Sequence, residues 1–467
     1  MGRRKLPFFE KVEITDIGAE GKALTRVNDK VIFTRFAAPG DIVDLQVFKK
    51  RKKYMEARIE RFHKYSEIRT EPFCEHFGIC GGCKWQHIPY SYQAEEKQKQ
   101  VEETLKRIGK LELPEVKPIL KSENETYYRN KLEFSFSAHR WLSQEEVDSG
   151  KEIKDTRAVG FHVPGLFDKI VDINKCWLQP DPSNKIRNTI REYSLKNDLE
   201  FFNPKEHGGF LRNLIIRTSS TGEIMVILSF YQENKEEREK LLRHIDNEIP
   251  GIHSLMYVIN SKGNDTLYDQ NIKVFKGKDH IIEEMEDLKF KIGPKSFFQT
   301  NTKQALALYQ TARSYAEIKP DEIVYDLYTG TGSIANFIAG YAKKVVGIES
   351  VPEAIEDAMV NSEINGITNT SFHSGDIKEL LDEEFISKHG KPDVIITDPP
   401  RAGMHKNVVE QILKLGTERI VYVSCNPATQ ARDLELLSPK YKITDVQPVD
   451  MFPHTHHVEN IVRLQKA

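Results

Sequence analysis

"IVYDLYTGTGSIA", residues 323–335, decides how the C-terminal part of this chain folds. An apolar run interrupted only by Asp326 reads as a buried strand, and Gly330 and Gly332 then turn the chain into a helix start. The same rhythm returns in "KVVGIES" (344–350), "DVIITDPP" (393–400) and "RIVYVSCNP" (419–427), with helix-length stretches between. Apolar strands alternating with helices predict an α/β architecture, a parallel, doubly wound, Rossmann-like sheet over residues 291–467.

Upstream the pattern differs. Residues 8–62 read as five short strands with alternating apolar and polar positions and turns at "VNDK" and "APGD". That predicts a small OB-like β-barrel over residues 1–65, a shape common in nucleic-acid binding. Residues 66–290 form the expected central domain. A Cys-rich loop comes first, then a helix near 91–111 whose Val101, Leu105 and Ile108 fall at helical spacing and which is expected to pack on the C-terminal domain. Beyond residue 118, runs such as "RNKLEFSFS", "NLIIRTS" and "IMVILSFY" predict an antiparallel, strand-rich body.

A chain of 467 residues is too long for one ordinary core. "MGRRKLPFFEKVEITD" holds no apolar signal region and no window reaches a membrane span, so a cytoplasmic protein without a membrane partner is expected. The net charge of −2 conceals a basic N-terminal module, with 16 Lys/Arg against 9 Asp/Glu in residues 1–65. The block "KKRKK", Lys49 to Lys53, is its densest part and points to a polyanionic partner.

The glycine turn would let the backbone approach a ligand closely. Glu349, at the end of the next strand, is placed to accept ribose hydroxyls, and Asp376 of "SGDI" follows a third strand, where adenine would sit. No GxGxxG is present to cradle a pyrophosphate. The ordered set resembles S-adenosylmethionine-dependent methyltransferases more than dinucleotide dehydrogenases.

Three further motifs carry chemistry. Asp398 ends a strand in "DPPR"; its fourth position, Arg401, replaces the aromatic residue of the related "DPPY" motif of amino-methyltransferases. Cys425 follows a buried strand at the carboxyl edge of the parallel sheet, where such folds bind ligands, and reads as a nucleophile. In "DMFPHTHHVENI", His454, His456 and His457 invite a metal, but no Cys or Asp pattern accompanies them. Glu459, between Val458 and Ile461, reads as a buried carboxylate able to act as a base.

Together these motifs resemble the RNA uracil-5-methyltransferase family over nearly the whole chain. The ordered elements are a TRAM-type barrel, the C-x5-C-x2-C loop, "FFQTN", "DLYTGTG", "DPPRAG", "SCNP" and "FPHTHHVENI". The resemblance implies Cys425 as nucleophile on uracil carbon 6 and Glu459 as the base at carbon 5. It implies S-adenosyl-L-methionine as cofactor, with Gln299, Tyr328, Glu349 and Asp398 on the family's cofactor-binding positions and Asp376 as a further candidate. The chain departs from the common pattern at Thr329, where cysteine is frequent, and at Ser333, where asparagine is frequent.

Cys74, Cys80 and Cys83 crowd "CEHFGICGGC", and Cys176 stands in "INKCWL". By spacing alone, zinc and an iron–sulfur cluster are equally served by four thiolates, and His76 and His87 could replace one. The resemblance favours a 4Fe-4S cluster on the four cysteines, as in the 23S rRNA members. It points to structured RNA as partner, 23S rRNA ahead of tRNA, and to a monomer. Arg129, Lys131, Arg212 and Arg217 are candidate phosphate contacts in the central domain. A cytosine-5 RNA methyltransferase fits the motif order less well, and an inactive RNA-binding assembly factor conflicts with the retention of both Cys425 and Glu459.

Overall fold

A computed structural model describes residues 6–467; the first five residues of the expected N-terminal module lie outside them. In the C-terminal part, seven strands form one sheet: Ile323–Leu327, Lys344–Glu349, Thr370–Ser374, Val394–Thr397, Arg419–Ser424, Tyr441–Val449 and Glu459–Lys466. Numbered in that order, they lie 3-2-1-4-5-7-6 across the sheet, the first five parallel and the last antiparallel to both its neighbours. Both faces are covered, which is why Val394–Thr397 and Arg419–Ser424 are buried at every position and read as continuous apolar runs.

One face packs on helices Thr302–Ala316 and Ser333–Ala339, through Leu308, Ala312 and Ile338. The other packs on Lys406–Leu415, Pro427–Leu437 and the distant helix Tyr90–Arg107, which brings Ala94, Val101 and Leu105 into one core with Tyr422 and Val462. That helix is fastened by a fully buried ion pair, Lys97 Nζ to Asp450 Oδ1 at 2.6 Å. The hairpin Ile281–Met285/Leu288–Ile292 packs on the first face, and Lys289 and Lys291 donate backbone N–H groups to Asn365, just past helix Pro352–Ile364, and to Asn361 within it.

The central sheet has seven strands from Lys131–Ser137 to Lys273–Gly277. It is not wholly antiparallel. Ile224–Phe230 and Ser254–Ile259 run parallel, joined across helix Lys235–Glu248 as a βαβ crossover inside an otherwise antiparallel sheet. Arg212 and Arg217 are structural, in contrast to their reading as phosphate contacts. Arg212 is buried and donates to the carbonyls of Asn260 and Lys262, while Arg217 is buried and donates to the Ser296 carbonyl. Lys131 is half-buried near Arg217 and Glu133, and burial lowers its pKa.

The N-terminal sheet has six strands, Phe8–Glu13 to Tyr54–Lys64, around a core of Ile14, Ile32, Val43 and Leu45. Residues 51–53 of the basic block form its exposed hairpin turn.

Candidate active site

The carboxyl ends of the parallel strands assemble the site. Strand Ile323–Leu327 ends in a turn where Tyr328, Gly330 and Gly332 all have positive φ (64°, 54° and 72°). A Cβ on Gly332 would lie 2.8 Å from the Ala358 Cβ, whereas one on Gly330 would meet nothing within 4 Å. Gly332 thus lets the turn pack on its own scaffold, and Gly330 leaves room above it for a ligand.

Around that room stand the expected cofactor groups. Glu349 Oε2 accepts the Gly330 N–H (3.2 Å), and Oε1 accepts those of Ser350 and Val351 (2.7 and 3.0 Å). Gln299 is half-buried in "FFQTN", and the Thr331 hydroxyl donates to the Phe297 carbonyl at 3.3 Å, holding that segment against the glycine turn. Asp376 is exposed; its carboxylate caps the helix starting at Ile377 and pairs with Lys378 at 2.8 Å.

Asp326 is fully buried and accepts the Thr329 hydroxyl on Oδ2 (2.6 Å), while its Oδ1 has no hydrogen-bond partner. Burial, with Glu349 nearby, pushes its carboxyl up to about 7. Asp398 is likewise pushed up to about 7, by burial and then by Asp326. An acidic, desolvated basin beside an open glycine turn fits a cationic nucleoside ligand such as S-adenosylmethionine.

Cys425 and Glu459 are brought together by strand register. Ser424 pairs with Asn460 in the antiparallel ladder between Arg419–Ser424 and Glu459–Lys466. One step further out, Cys425 and Glu459 oppose each other at the sheet edge. Asn426 caps the following helix by accepting the Ala428 N–H at 3.1 Å, with Pro427 at its first position, so the strand ends at the thiol. Glu459 is buried and its pKa lies well above the ordinary value, through burial and then Asp398, with Arg401 opposing. The Cys425 thiol is pushed up to about 11 by burial and by the Glu459 and Asp398 charges, against Arg401.

Two residues of this site, Arg401 and Tyr309, are given no role by the sequence reading. The Arg401 carbonyl accepts Asn426 Nδ2–H (3.0 Å) and the Thr429 hydroxyl (3.2 Å), which holds its guanidinium beside Cys425. Its signal was the cation in "DPPR", set aside there as a departure from an aromatic position. Tyr309 is buried, its hydroxyl 3.1 Å from Ser333 Oγ at the head of the glycine-turn helix and within reach of the Asp398, Asp326 and Glu459 charges.

The histidines of "HTHH" are neutral. Burial depresses His454 and His457 to about 4 and His456 to about 3. The four remaining cysteines are free thiols that converge: burial pushes Cys80 and Cys83 up to about 12, and each feels Cys74 and Cys176 as neighbours. His87 is turned to the Ala37 carbonyl (3.2 Å), and His76 Nε2 accepts the Asn174 N–H (3.1 Å). Among the described residues, no group of three or more His, Cys, Asp or Glu stands close enough to hold a metal ion.

Comparison with known proteins agrees with this geometry. The family model described as tRNA (Uracil-5-)-methyltransferase matches residues 215–467, and the TRAM domain model matches residues 10–59. An uncharacterized RNA methyltransferase of Bacteroides thetaiotaomicron is 59% identical over 96% of this chain and 100% of its own length. One from Porphyromonas gingivalis is 54% identical over 97% of this chain and 99% of its own. Among solved structures, the Pyrococcus abyssi tRNA (uracil-54, C5)-methyltransferase in complex with S-adenosyl-L-homocysteine superposes with a TM-score of 0.76, at 29% identity over 97% of this chain and 100% of that one. With a glycine turn open to a cationic nucleoside at the edge of a 3-2-1-4-5-7-6 sheet, the chain belongs to the RNA uracil-5-methyltransferase family and is an S-adenosylmethionine-dependent RNA methyltransferase.

Proposed function

We propose that the protein methylates carbon 5 of a uridine in structured RNA, with 23S rRNA as the substrate, through a covalent adduct on Cys425. The observation that carries this reading is the register that opposes Cys425 and Glu459. Carbon 5 of uracil is a weak nucleophile. Addition of the Cys425 thiolate to carbon 6 makes carbon 5 enolate-like, able to accept a methyl group. Glu459, desolvated and so more basic than an exposed carboxylate, then takes the proton from carbon 5, and the Cys425–carbon 6 bond breaks. Arg401 favours the thiolate electrostatically.

S-adenosylmethionine supplies the electrophilic methyl group when bound. Gln299, Tyr328, Glu349, Asp376 and Asp398 would hold it, over the buried Asp326 carboxyl. A cation bound beside Asp326 and Asp398 would favour their ionised forms, and Gly330 leaves the space for it.

Cys74, Cys80, Cys83 and Cys176 would carry a 4Fe-4S cluster. Cys80 and Cys83 each feel Cys74 and Cys176 as neighbours, and the Gly82 N–H already donates to the Cys80 sulfur at 3.4 Å, a bond that a cluster-bound thiolate would keep. Protein purified anaerobically is expected to carry iron, sulfide and broad visible absorbance; colourless, iron-free protein would remove the cluster.

A tRNA substrate is the second reading, favoured by one observation: the archaeal tRNA enzyme aligns with 97% of this chain. The N-terminal barrel therefore does not discriminate between the two RNAs, and the preference for 23S rRNA rests on the motif resemblance. The test uses 23S rRNA and tRNA transcripts substituted with 5-fluorouridine, incubated with cofactor. Fluorine cannot leave as a proton, so the competent RNA should remain covalently bound through Cys425. No adduct on either RNA would refute the mechanism, an adduct on tRNA alone would reassign the substrate, and an adduct surviving Cys425→Ala would refute the nucleophile.

A further inference from the structure

A second cleft, of about 790 Å³, opens between the N-terminal sheet and the cysteine loop. Its walls are Glu20–Lys22 and Arg35–Phe36, the loop Cys80–Lys84, and the segment 161–167 that leaves strand Ala158–His162. Two properties stand out. Phe167 is 67% exposed and Leu166 39%, large apolar side chains held in water with no packing partner to justify them. Beside them, Lys22, Arg35 and Lys84 face one lining carboxylate, Glu20, which pairs with Lys22 at 2.8 Å. Glu56 also lies 4.0 Å from Lys22, and Arg35 and Lys84 form no ion pair among the described residues.

The cleft is continuous with the loop that leads into the catalytic strand. The N–H groups of Lys84 and Trp85 donate to the His454 carbonyl (2.8 and 3.1 Å), and Lys84 Nζ lies 3.4 Å from His456 Nδ1. His456 and His457 have ring centroids 4.1 Å apart, and Glu459 follows two residues later.

An aromatic face next to clustered cations is the recognition chemistry of single-stranded nucleic acid, where bases stack and phosphates pair. Extruding the target uridine also breaks the stack on either side of it, so a neighbouring base needs a new platform. We propose that this cleft binds a nucleotide flanking the target in the same RNA, its base stacked on Phe167 and its phosphate between Arg35 and Lys84. The proposal rests on the RNA-methyltransferase reading and adds a second point of attachment to it.

The test combines crosslinking and affinity. A single-stranded oligouridylate containing 4-thiouridine, irradiated on the full-length protein, should mark the peptide spanning residues 161–167. Phe167→Ala and Arg35→Ala, both at exposed positions, should each weaken binding of the 23S rRNA transcript about tenfold, with the loss in KM rather than kcat. Tyr341→Ala, at an exposed aromatic residue outside the cleft, serves as control and should bind as wild type. No crosslink in 161–167 together with wild-type affinity in both variants would overturn the cleft. The 5-fluorouridine adduct separates this from the catalytic reading. An adduct at saturating RNA with unchanged affinities sinks the cleft alone, and weakened affinities without any wild-type adduct sink the mechanism alone.

Discussion

Asp398 and Glu459 converge beside Cys425, with Asp326 next to Asp398, and desolvation drives all three toward the neutral form. Asp398 ionises near 3.8 when exposed and at about 7 in the fold. Between those values the folded state keeps a proton that the unfolded chain has released. The stabilisation is therefore fully present below 3.8 and is lost as pH rises through 7. Asp398→Asn removes this dependence, so its thermal midpoint without cofactor should gain on wild type progressively from pH 5 to pH 8. A gap that stays constant would show that Asp398 is not the titrating group. At this scale the sequence singles out Cys425 and Glu459 by motif position, but not that they face each other. Tyr309 was illegible because it shares a helical stripe with Ala305, Leu308 and Ala312 and reads as core, its hydroxyl being the only part that reaches the site.

The turn after strand Ile323–Leu327 separates packing from ligand space within three residues. Both glycines need positive φ, so an alanine costs about 1 kcal/mol at either. Gly332→Ala adds a collision with Ala358 and Phe372 and should lose about 2–3 kcal/mol in denaturant unfolding. Gly330→Ala should lose only about 1 kcal/mol yet weaken S-adenosylmethionine binding in calorimetry. Equal stability losses would mean the two positions are not divided in this way. The helix-alternating strands of this domain were readable because a buried parallel sheet writes continuous apolar runs. Strand direction is not written in such runs. The parallel pair in the central sheet escaped for that reason: its crossover helix, Lys235–Glu248, is mostly charged and reads as a polar turn between two hairpin strands.

Across the whole molecule, the helix Tyr90–Arg107 is sewn to the far end of the chain. Lys97 donates to Asp450 and to the Phe452 carbonyl (3.1 Å), wholly out of water. Lys97→Ala would strand a buried carboxylate and should cost about 3–5 kcal/mol in denaturant unfolding. Lys97→Met with Asp450→Leu should recover most of it, and a single variant as stable as wild type would show that the pair carries no weight. Sequence foretold the helix and its apolar spacing, but a contact 353 residues apart leaves no local trace.

The loop around His454 has one more consequence. Its backbone takes N–H bonds from Lys84 and Trp85, accepts the Tyr128 hydroxyl at Pro453 (2.9 Å) and donates the His454 N–H to Gln93 Oε1 (2.8 Å), while Gln93 Nε2 meets the His454 ring nitrogen Nδ1 at 3.2 Å. Segments from the cysteine loop, the long helix and the central body thus share one knot of buried polar bonds. None can peel away without exposing unpaired groups belonging to the others. A protease offered the native protein would find no seam here, and the amides of Lys84, Trp85 and His454 would exchange with solvent together, at the pace of global opening.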